Sequence, residues 1–224
     1  MQSGFANRKR LLDHNLQLLN DLSSALGEKD RYTQAHGHRV AIYAMRLAER
    51  LGYSPQAIRH VGIGGLLHDV GKLALSDRVF TNCETSLPHD LRQEVRCHPL
   101  IGAALLKGIR FLSPAVDFVL FHHEREDGKG YPYGLKKEEI PPGAKIVSIA
   151  DCFDAITTDR PYRKGLPITS AYEILRRGCR VFFCEEFVEA FIEEIEENGA
   201  IPDAGPDLIM AEELIRSAAG YSTV

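Results

Sequence analysis

The chain has 224 residues, of which 44% are hydrophobic and 26% charged, and its formal net charge is −4. This is the composition of an ordinary globular domain that can bury a sizeable core. The negative charge excludes a general attraction to nucleic-acid polymers, so an anionic substrate needs a local basic site. Because no apolar run could cross a bilayer and the start lacks the apolar block of a secretory signal, we expect a cytoplasmic protein without a membrane span.

Apolar residues recur at three- and four-residue steps along nearly the whole chain, which predicts an all-α fold. A leucine stripe up to residue 22 indicates a first helix that ends at Gly27. A second helix is predicted to end at Gly52, and Ser54-Pro55 has the cap-then-proline form of a third helix start. Further helix starts are predicted at His98-Pro99, Ser113-Pro114 and Pro141-Pro142-Gly143.

We divide the chain into an N-terminal amphipathic helix (1–27), a main domain (28–200) and a tail (201–224) with one more helix around Leu208 and Leu214. The N-terminal stripe suits either dimerisation or packing on the main domain, and no oligomeric state is predicted. The cysteines form no C-x-x-C pair, so we expect reduced and mostly buried thiols rather than disulfides or a zinc ribbon. They are Cys83, Cys97, Cys152, Cys179 and Cys184.

Histidines and aspartates in apolar, helix-like segments are the candidates for chemistry. The pair His122-His123 runs directly into a glycine-rich turn, and His68-Asp69 lies at the end of another apolar segment. If residues 68–72 are helical, Lys72 lies beside this second pair, where its charge can meet a substrate phosphate. Mixed imidazole and carboxylate ligands without thiolate suit iron or manganese better than a structural zinc. We therefore predict a metal centre in which Asp69 can bridge two cations.

These residues stand in ordered motifs that resemble the HD-GYP subgroup of HD-superfamily phosphohydrolases, which are bacterial cyclic di-GMP phosphodiesterases. The resemblance spans most of the chain and implies an HD-superfamily helical bundle with a GYP-loop extension. The motifs include His68-Asp69-x-Gly71-Lys72, His98-Pro99-x-x-Gly102, His122-His123-Glu124-Arg125-x-Asp127-Gly128-x-Gly130-Tyr131-Pro132 and Asp159-Arg160-Pro161-Tyr162-Arg163.

The resemblance implies that two divalent ions, Fe or Mn, activate a bridging hydroxide that hydrolyses cyclic di-GMP to pGpG, with further hydrolysis to GMP left open. Asp69 and Lys72 are the implied catalytic residues. The implied metal ligands are His36, His68, Asp69, His98, His122, His123 and Asp151. The implied substrate-binding residues are Lys72, Gly130, Tyr131, Arg160 and Arg163.

One position departs from a common family pattern. Tyr32 stands where some members carry a glutamate that helps to bind a third metal. A phenol must ionise before it can bind a hard divalent ion, so we expect two metals rather than three. Asp154 shares a helical face with Asp151, and we expect it to orient a ligating imidazole.

Alternatives stay open for single residues and for the whole chain. Tyr131 could be a packing aromatic, and Arg160 and Arg163 could be solvated surface charges. The chain could instead be a slow or inactive cyclic-dinucleotide receptor that interacts with diguanylate cyclase domains or a separate sensor protein. A third hypothesis is a phosphodiesterase for another cyclic dinucleotide, because HD-superfamily sites share metals across many substrates.

Overall fold

The computed structural model describes residues 2–81, 87–160 and 163–201, and the side chains of residues 2–9 and 12 lie outside this description. The predicted tail helix around Leu208 and Leu214 also falls outside it. Within the described ranges the chain has no β-strand, only two isolated bridges, so the predicted all-α class is confirmed.

Helices joined by short connections make up most of the described chain. Three 3-10 turns lie between them, at Val70–Ala74, Arg110–Leu112 and Lys137–Glu139. The helices are α1 (Gln2–Lys29), α2 (Arg31–Arg50), α3 (Pro55–Leu67), α4 (Asp77–Thr81), α5 (His89–Val95), α6 (His98–Leu106), α7 (Ser113–Phe121), α8 (Pro142–Thr157), α9 (Ile168–Gly178) and α10 (Glu185–Asn198).

The boundary between α1 and α2 differs from the prediction. Helix α1 continues through Gly27, and the break falls at Asp30, whose backbone is extended. The Asp30 carboxylate accepts hydrogen bonds from the backbone N–H groups of Tyr32 and Thr33 and so caps α2. The predicted end at Gly27 was therefore wrong, because the cap rather than the glycine sets the break.

The other helix starts follow the sequence signals. The Ser54 hydroxyl accepts from the Ala57 N–H at 3.3 Å and caps α3, and Gly52 before it has a positive φ of 75°. The predicted proline-led starts of α6, α7 and α8 are also confirmed. Local capping chemistry therefore places most of the helices that meet at the site.

One core cluster joins α2, α8, α9 and α10. At its centre the rings of Tyr43, Phe153 and Phe191 are almost completely buried, and their centroids lie 5.0–5.9 Å apart. Full burial of one such ring contributes about 1.5–3 kcal/mol. Because Phe153 lies two residues after Asp151, this packing fixes α8 and the acidic side chains it carries.

A second core cluster joins the second half of α1 to α3, α6 and α7. Leu16, Leu19 and Leu26 of α1 are each only 3% exposed and belong to the same cluster as Leu66 and Leu67 at the end of α3. This half of α1 therefore packs on the main domain. Packing of this kind was one of the two uses predicted for the leucine stripe, the other being dimerisation. The division at residue 27 stays a prediction.

Two further expectations concern the membrane and the thiols. None of the helices in the described ranges has the length and apolarity needed to cross a membrane. The described cysteines are free, but the expectation of mostly buried thiols was wrong: Cys97 is exposed and Cys152, Cys179 and Cys184 are half-buried. Cys97 is exposed because it lies in the turn between α5 and α6, and Cys83 is outside the described residues.

Candidate active site

The predicted metal ligands meet where several helix ends converge on the second turn of α2 and the middle of α8. Leu67 is the last residue of α3, Phe121 is the last of α7, and α6 begins at the site itself. The seven side chains in this region are those of His36, His68, Asp69, His98, His122, His123 and Asp151.

The backbone of the 3-10 turn after α3 lies very close to the backbone at the start of α6. A Cβ added to Gly71 would lie 1.9 Å from the carbonyl oxygen of His98, so only glycine fits there. The turn carries Lys72, and Asp69 immediately precedes it. This contact therefore brings the Asp69 carboxylate next to the start of α6.

A first group of ligand-type atoms comes from His36, His68 and Asp69, which offer one atom each, and these three atoms lie within 4.8 Å of one another. All three side chains are buried. Asp151 extends the group, because its Oδ1 lies 3.1 Å from His36 Nε2 and 3.9 Å from His68 Nε2.

A second group consists of His98, His122 and His123, again within 4.8 Å of one another. His98 Nε2 lies 3.3 Å from His122 Nε2. The Asp69 carboxylate connects the two groups, since its Oδ2 lies 3.4 Å from His68 Nε2 and its Oδ1 lies 3.4 Å from His98 Nε2. One carboxylate thus presents an oxygen to each group.

Three of the imidazoles are fixed by backbone carbonyl groups that lie three residues earlier in the chain. A carbonyl oxygen only accepts, so Nδ1 carries the hydrogen and the Nε2 of a neutral ring keeps a lone pair for a cation. The Nδ1 atoms donate to carbonyl groups three residues earlier: His68 to Gly65 at 2.7 Å, His98 to Val95 at 2.7 Å and His122 to Val119 at 2.8 Å.

Burial keeps the second group of histidines neutral. It lowers the pKa of His98 to about 4 and that of His123 to about 3, and the pKa of His122 also falls well below its ordinary value. Neighbouring imidazoles add to the lowering for His122 and His123. Neutral imidazole is the form that binds a metal ion.

His36 differs because carboxylates surround it. Burial opposes its charge, but the carboxylates of Asp151 and Asp154 accept hydrogen bonds from the ring, outweigh burial and raise the pKa of His36 to about 10. Asp154 Oδ2 lies 2.7 Å from His36 Nδ1, and the same carboxylate accepts two hydrogen bonds from Arg39 at 2.6 and 3.0 Å. As expected from the sequence, Asp154 orients an imidazole of the site.

The two central carboxylates are held as anions. Burial opposes their charge, yet Lys72 and His68 lower the pKa of Asp69, and His36 lowers that of Asp151. Lys72 Nζ donates to Asp69 Oδ2 at 2.7 Å, as the spacing predicted, although the segment is a 3-10 turn rather than an α-helix. Imidazoles whose Nδ1 atoms are engaged, together with anionic carboxylates, form a donor set that fits divalent cations.

The glycine-rich loop, residues 124–135, is held against the pair His122-His123 by Glu124. This buried carboxylate accepts the backbone N–H groups of Tyr133, Gly134 and Leu135 at 2.7, 3.1 and 3.0 Å. A Cβ added to Gly130 would lie 2.5 Å from the Glu124 Cα, so glycine permits this approach.

The loop places Tyr131 against the second histidine group. The Tyr131 ring stacks on His123 with centroids 4.6 Å apart and planes 27° apart, and its backbone N–H donates to the His123 carbonyl at 3.1 Å. The Tyr131 side chain therefore forms part of the wall next to the predicted ligands, as well as packing the loop.

The two groups of histidine and aspartate side chains together form the metal-ligand cluster, called the cluster below. A cavity of about 430 Å³ opens over it, with cationic groups at its edge. Lys72 and Arg160 line it, together with Tyr131 and Tyr32. The Tyr32 hydroxyl accepts from Arg160 Nε at 3.0 Å and lies 3.1 Å from the Thr158 hydroxyl.

Arg163 has a different environment from Arg160. Its guanidinium is exposed and donates to the carbonyl oxygen of Ala155, and it does not belong to the lining of this cavity. The structure therefore brings Lys72, Tyr131 and Arg160 together around the cluster, and Gly130 beside them, but not the Arg163 side chain. Substrate contacts of all five residues stay a prediction.

Two residues at the site carried no role in the sequence prediction. Glu124 stood inside a quoted motif, but its hydrogen bonds to residues 133–135 follow only from the folded loop. Arg96 lies in the turn before α6, and its guanidinium carbon is 4.6 Å from the Tyr131 ring centroid. No motif or spacing marks such a contact between distant segments.

Known proteins resemble this chain along much of its length. The HD domain family matches residues 9–182. A cyclic di-GMP phosphodiesterase of Pseudomonas aeruginosa, PA4108, is 41% identical over 68% of this chain and 36% of its own length. The 3'3'-cGAMP-specific phosphodiesterase 3 of Vibrio cholerae is 33% identical over 67% of this chain and 32% of its own length.

A solved structure supports the same fold. Bd1817 of Bdellovibrio bacteriovorus, described as an HDG"Y"P protein, superposes with a TM-score of 0.59 at 24% identity, over 72% of this chain and 51% of that protein. The chain spans from 36% to 50% of the length of the first curated relatives it matches. The predicted resemblance is thus confirmed, and the chain belongs to the HD-domain family.

Proposed function

We propose that this chain hydrolyses a phosphodiester bond of cyclic di-GMP, giving pGpG, with divalent metal ions held by the histidine and aspartate cluster. One observation carries the proposal: a single buried carboxylate, Asp69, faces two histidine groups beneath a cavity edged by Lys72 and Arg160. The names of similar proteins supply the substrate class, and the cationic edge suits its phosphates.

The donor set favours two ions, Fe or Mn. His36, His68, Asp69 and Asp151 would hold one ion, and the other would be held by Asp69 together with His98, His122 and His123. Bound ions of this kind lower the pKa of water and neutralise charge on a phosphoryl oxygen. Tyr32 supports two ions rather than three, because its hydroxyl is engaged with Arg160 and Thr158.

The chain's own residues bind and orient the substrate. Lys72 is only partly exposed, and its ammonium group would bind a phosphate oxygen while it stays next to Asp69. Arg160 is held through Nε by the Tyr32 hydroxyl, so its terminal nitrogens are directed to a ligand. Tyr131, stacked on His123, would form part of the wall beside the scissile bond.

A second candidate is a phosphodiesterase for a mixed guanine and adenine cyclic dinucleotide. The observation that favours it is the 33% identity to a relative named for 3'3'-cGAMP. The ligand cluster and its cationic edge would serve both substrates, since both carry the same phosphodiester linkages. The two candidates differ only in how the bases are recognised.

The test is to incubate purified protein of measured metal content with cyclic di-GMP and supplied Mn or ferrous iron, and to separate the products over time. We expect pGpG from the wild-type chain and none from His68→Ala. His60→Ala is the matched control, because His60 is half-buried but lies outside the cluster. Unchanged nucleotide from folded, metal-loaded protein would refute the hydrolase, and tight binding without turnover would favour a receptor.

A further inference from the structure

A second cavity, of about 390 Å³, lies beside the first. His123, Tyr131 and Asp151 line both cavities, so the two cavities share part of their walls. The second cavity is lined in addition by Arg96 and Phe182, among others. A ligand bound at the cluster can therefore extend in two directions.

The cations around this second cavity differ in how they are paired. Arg125 donates twice to Asp127, at 3.0 and 2.6 Å, and its guanidinium packs 3.9 Å from the Phe182 ring centroid. Arg96 has no ion pair with any other described residue, and it is exposed. Its contact is the Tyr131 ring, so the edge of its guanidinium is available to a ligand.

A cyclic dinucleotide matches this arrangement of two cavities. Its two bases project from different parts of a ring of two sugars and two phosphates. When one phosphodiester lies at the metal-ligand cluster, the two bases can therefore occupy the two cavities. Phe182, which is 45% exposed, offers an aromatic surface in the second cavity, whereas the Tyr131 ring already contacts His123 and the Arg96 guanidinium. Stacking of a base on an aromatic side chain is a common and strong mode of binding.

We propose that the second cavity binds one guanine base and that Arg96 donates to its O6 and N7 atoms. This inference rests on the proposed function. A guanidinium matches these two acceptors with two parallel hydrogen bonds. Adenine presents an acceptor and a donor at the same edge, so it cannot accept both bonds. Arg96 is thus a residue that determines base specificity.

The test compares Arg96→Ala with wild type on three substrates: cyclic di-GMP, cyclic di-AMP and bis(p-nitrophenyl) phosphate. The last has a phosphodiester but no base, so it reports on the cluster alone. Loss of a bidentate contact should raise KM for cyclic di-GMP about tenfold to a hundredfold. Hydrolysis of the other two substrates should stay within about twofold of wild type.

Two further variants distinguish a guanine contact of Arg96 from a phosphate contact. Arg110→Ala removes another exposed arginine that lines neither cavity, and it should behave as wild type. Arg96→Lys should not restore the KM for cyclic di-GMP, since a point charge cannot make the paired contact. An equal loss on cyclic di-GMP and cyclic di-AMP, restored by lysine, would show a phosphate contact and overturn the guanine assignment.

Failure of the proposed function gives a separate result. Wild type would then cleave bis(p-nitrophenyl) phosphate but neither cyclic dinucleotide. In that case calorimetric binding of cyclic di-GMP to wild type and Arg96→Ala decides the inference. Weaker binding by the variant supports it, and equal affinity or no binding to either overturns it.

Discussion

The buried cluster and the cationic edge of the cavity are built in opposite ways. His68, His98 and His122 are at most 1% exposed, and each donates to the backbone carbonyl three residues earlier. Arg96 and Arg160 are exposed and are held through aromatic rings and one phenol hydroxyl. The helical core therefore positions the metal-ligand cluster, while loops position the cations at the cavity edge. Loops tolerate sequence change better than cores do, so substrate recognition can vary while the metal-ligand cluster stays the same.

The largest expected effect is at the point where the two histidine groups meet. Asp69→Asn keeps the shape of the side chain but removes the charge that faces both groups. We expect kcat to fall roughly a hundredfold to a thousandfold, and metal content to fall with it. Steady-state kinetics and elemental analysis measure both, with the exposed Asp117→Asn as control. Full metal content with normal kcat would show that Asp69 is not shared between ions.

Asp154→Asn tests how rigidly the cluster is supported. The change removes the carboxylate that the Arg39 guanidinium, only 2% exposed, and His36 both contact. Breaking a buried pair in this way costs about 3–5 kcal/mol in the free energy of unfolding. Urea denaturation measures it, and a loss below 1 kcal/mol would mean that the network contributes little to stability.

Glu124→Gln tests the connection between the cluster and the edge. The amide nitrogen that replaces one carboxylate oxygen cannot accept, so at least one loop N–H loses its partner. We expect about 1–3 kcal/mol lower stability and a raised KM, because Tyr131 loses its fixed position. Glu139→Gln is the matched control, as Glu139 is exposed and accepts a single loop N–H. Unchanged KM for Glu124→Gln would separate loop position from substrate binding.

The smallest effect is expected from Tyr32→Phe at the edge. Loss of the hydroxyl removes the hydrogen bond to Arg160 Nε but leaves the ring in place. We expect KM for cyclic di-GMP to rise about twofold to tenfold with kcat nearly constant. Tyr172→Phe, which changes a tyrosine in α9, should have no effect. A large fall in kcat would place Tyr32 in the chemistry rather than at the edge.

The contrast between the buried cluster and the cavity edge also explains what the sequence could predict. Helix starts at Ser54 and before Pro99 follow from local capping and proline chemistry, and the histidine motifs mark the cluster because such residue types are costly to bury without a purpose. The α1 end was misplaced because a glycine near a helix end is only a weak signal when a better cap follows, here Asp30.

Contacts between distant segments were beyond the sequence. Arg96 reaches Tyr131 only because the turn before α6 and the glycine-rich loop fold against one another, and exposed arginines mostly have no such role. The exposure of Cys97 is a similar case, since the composition says nothing about which side of a turn faces solvent. Cluster residues were therefore predictable from their types, whereas the edge needed the fold.

Helix α1 gives the site a mechanical connection to a distant part of the molecule. It is one unbroken rod of 28 residues, about 42 Å long, and its second half shares a core with the end of α3. At its last turn Lys29 donates to the carbonyl of Leu75, directly after the turn that carries Lys72. The end of α1 and the turn that carries Lys72 are therefore joined by a direct hydrogen bond, so the position of one constrains the position of the other.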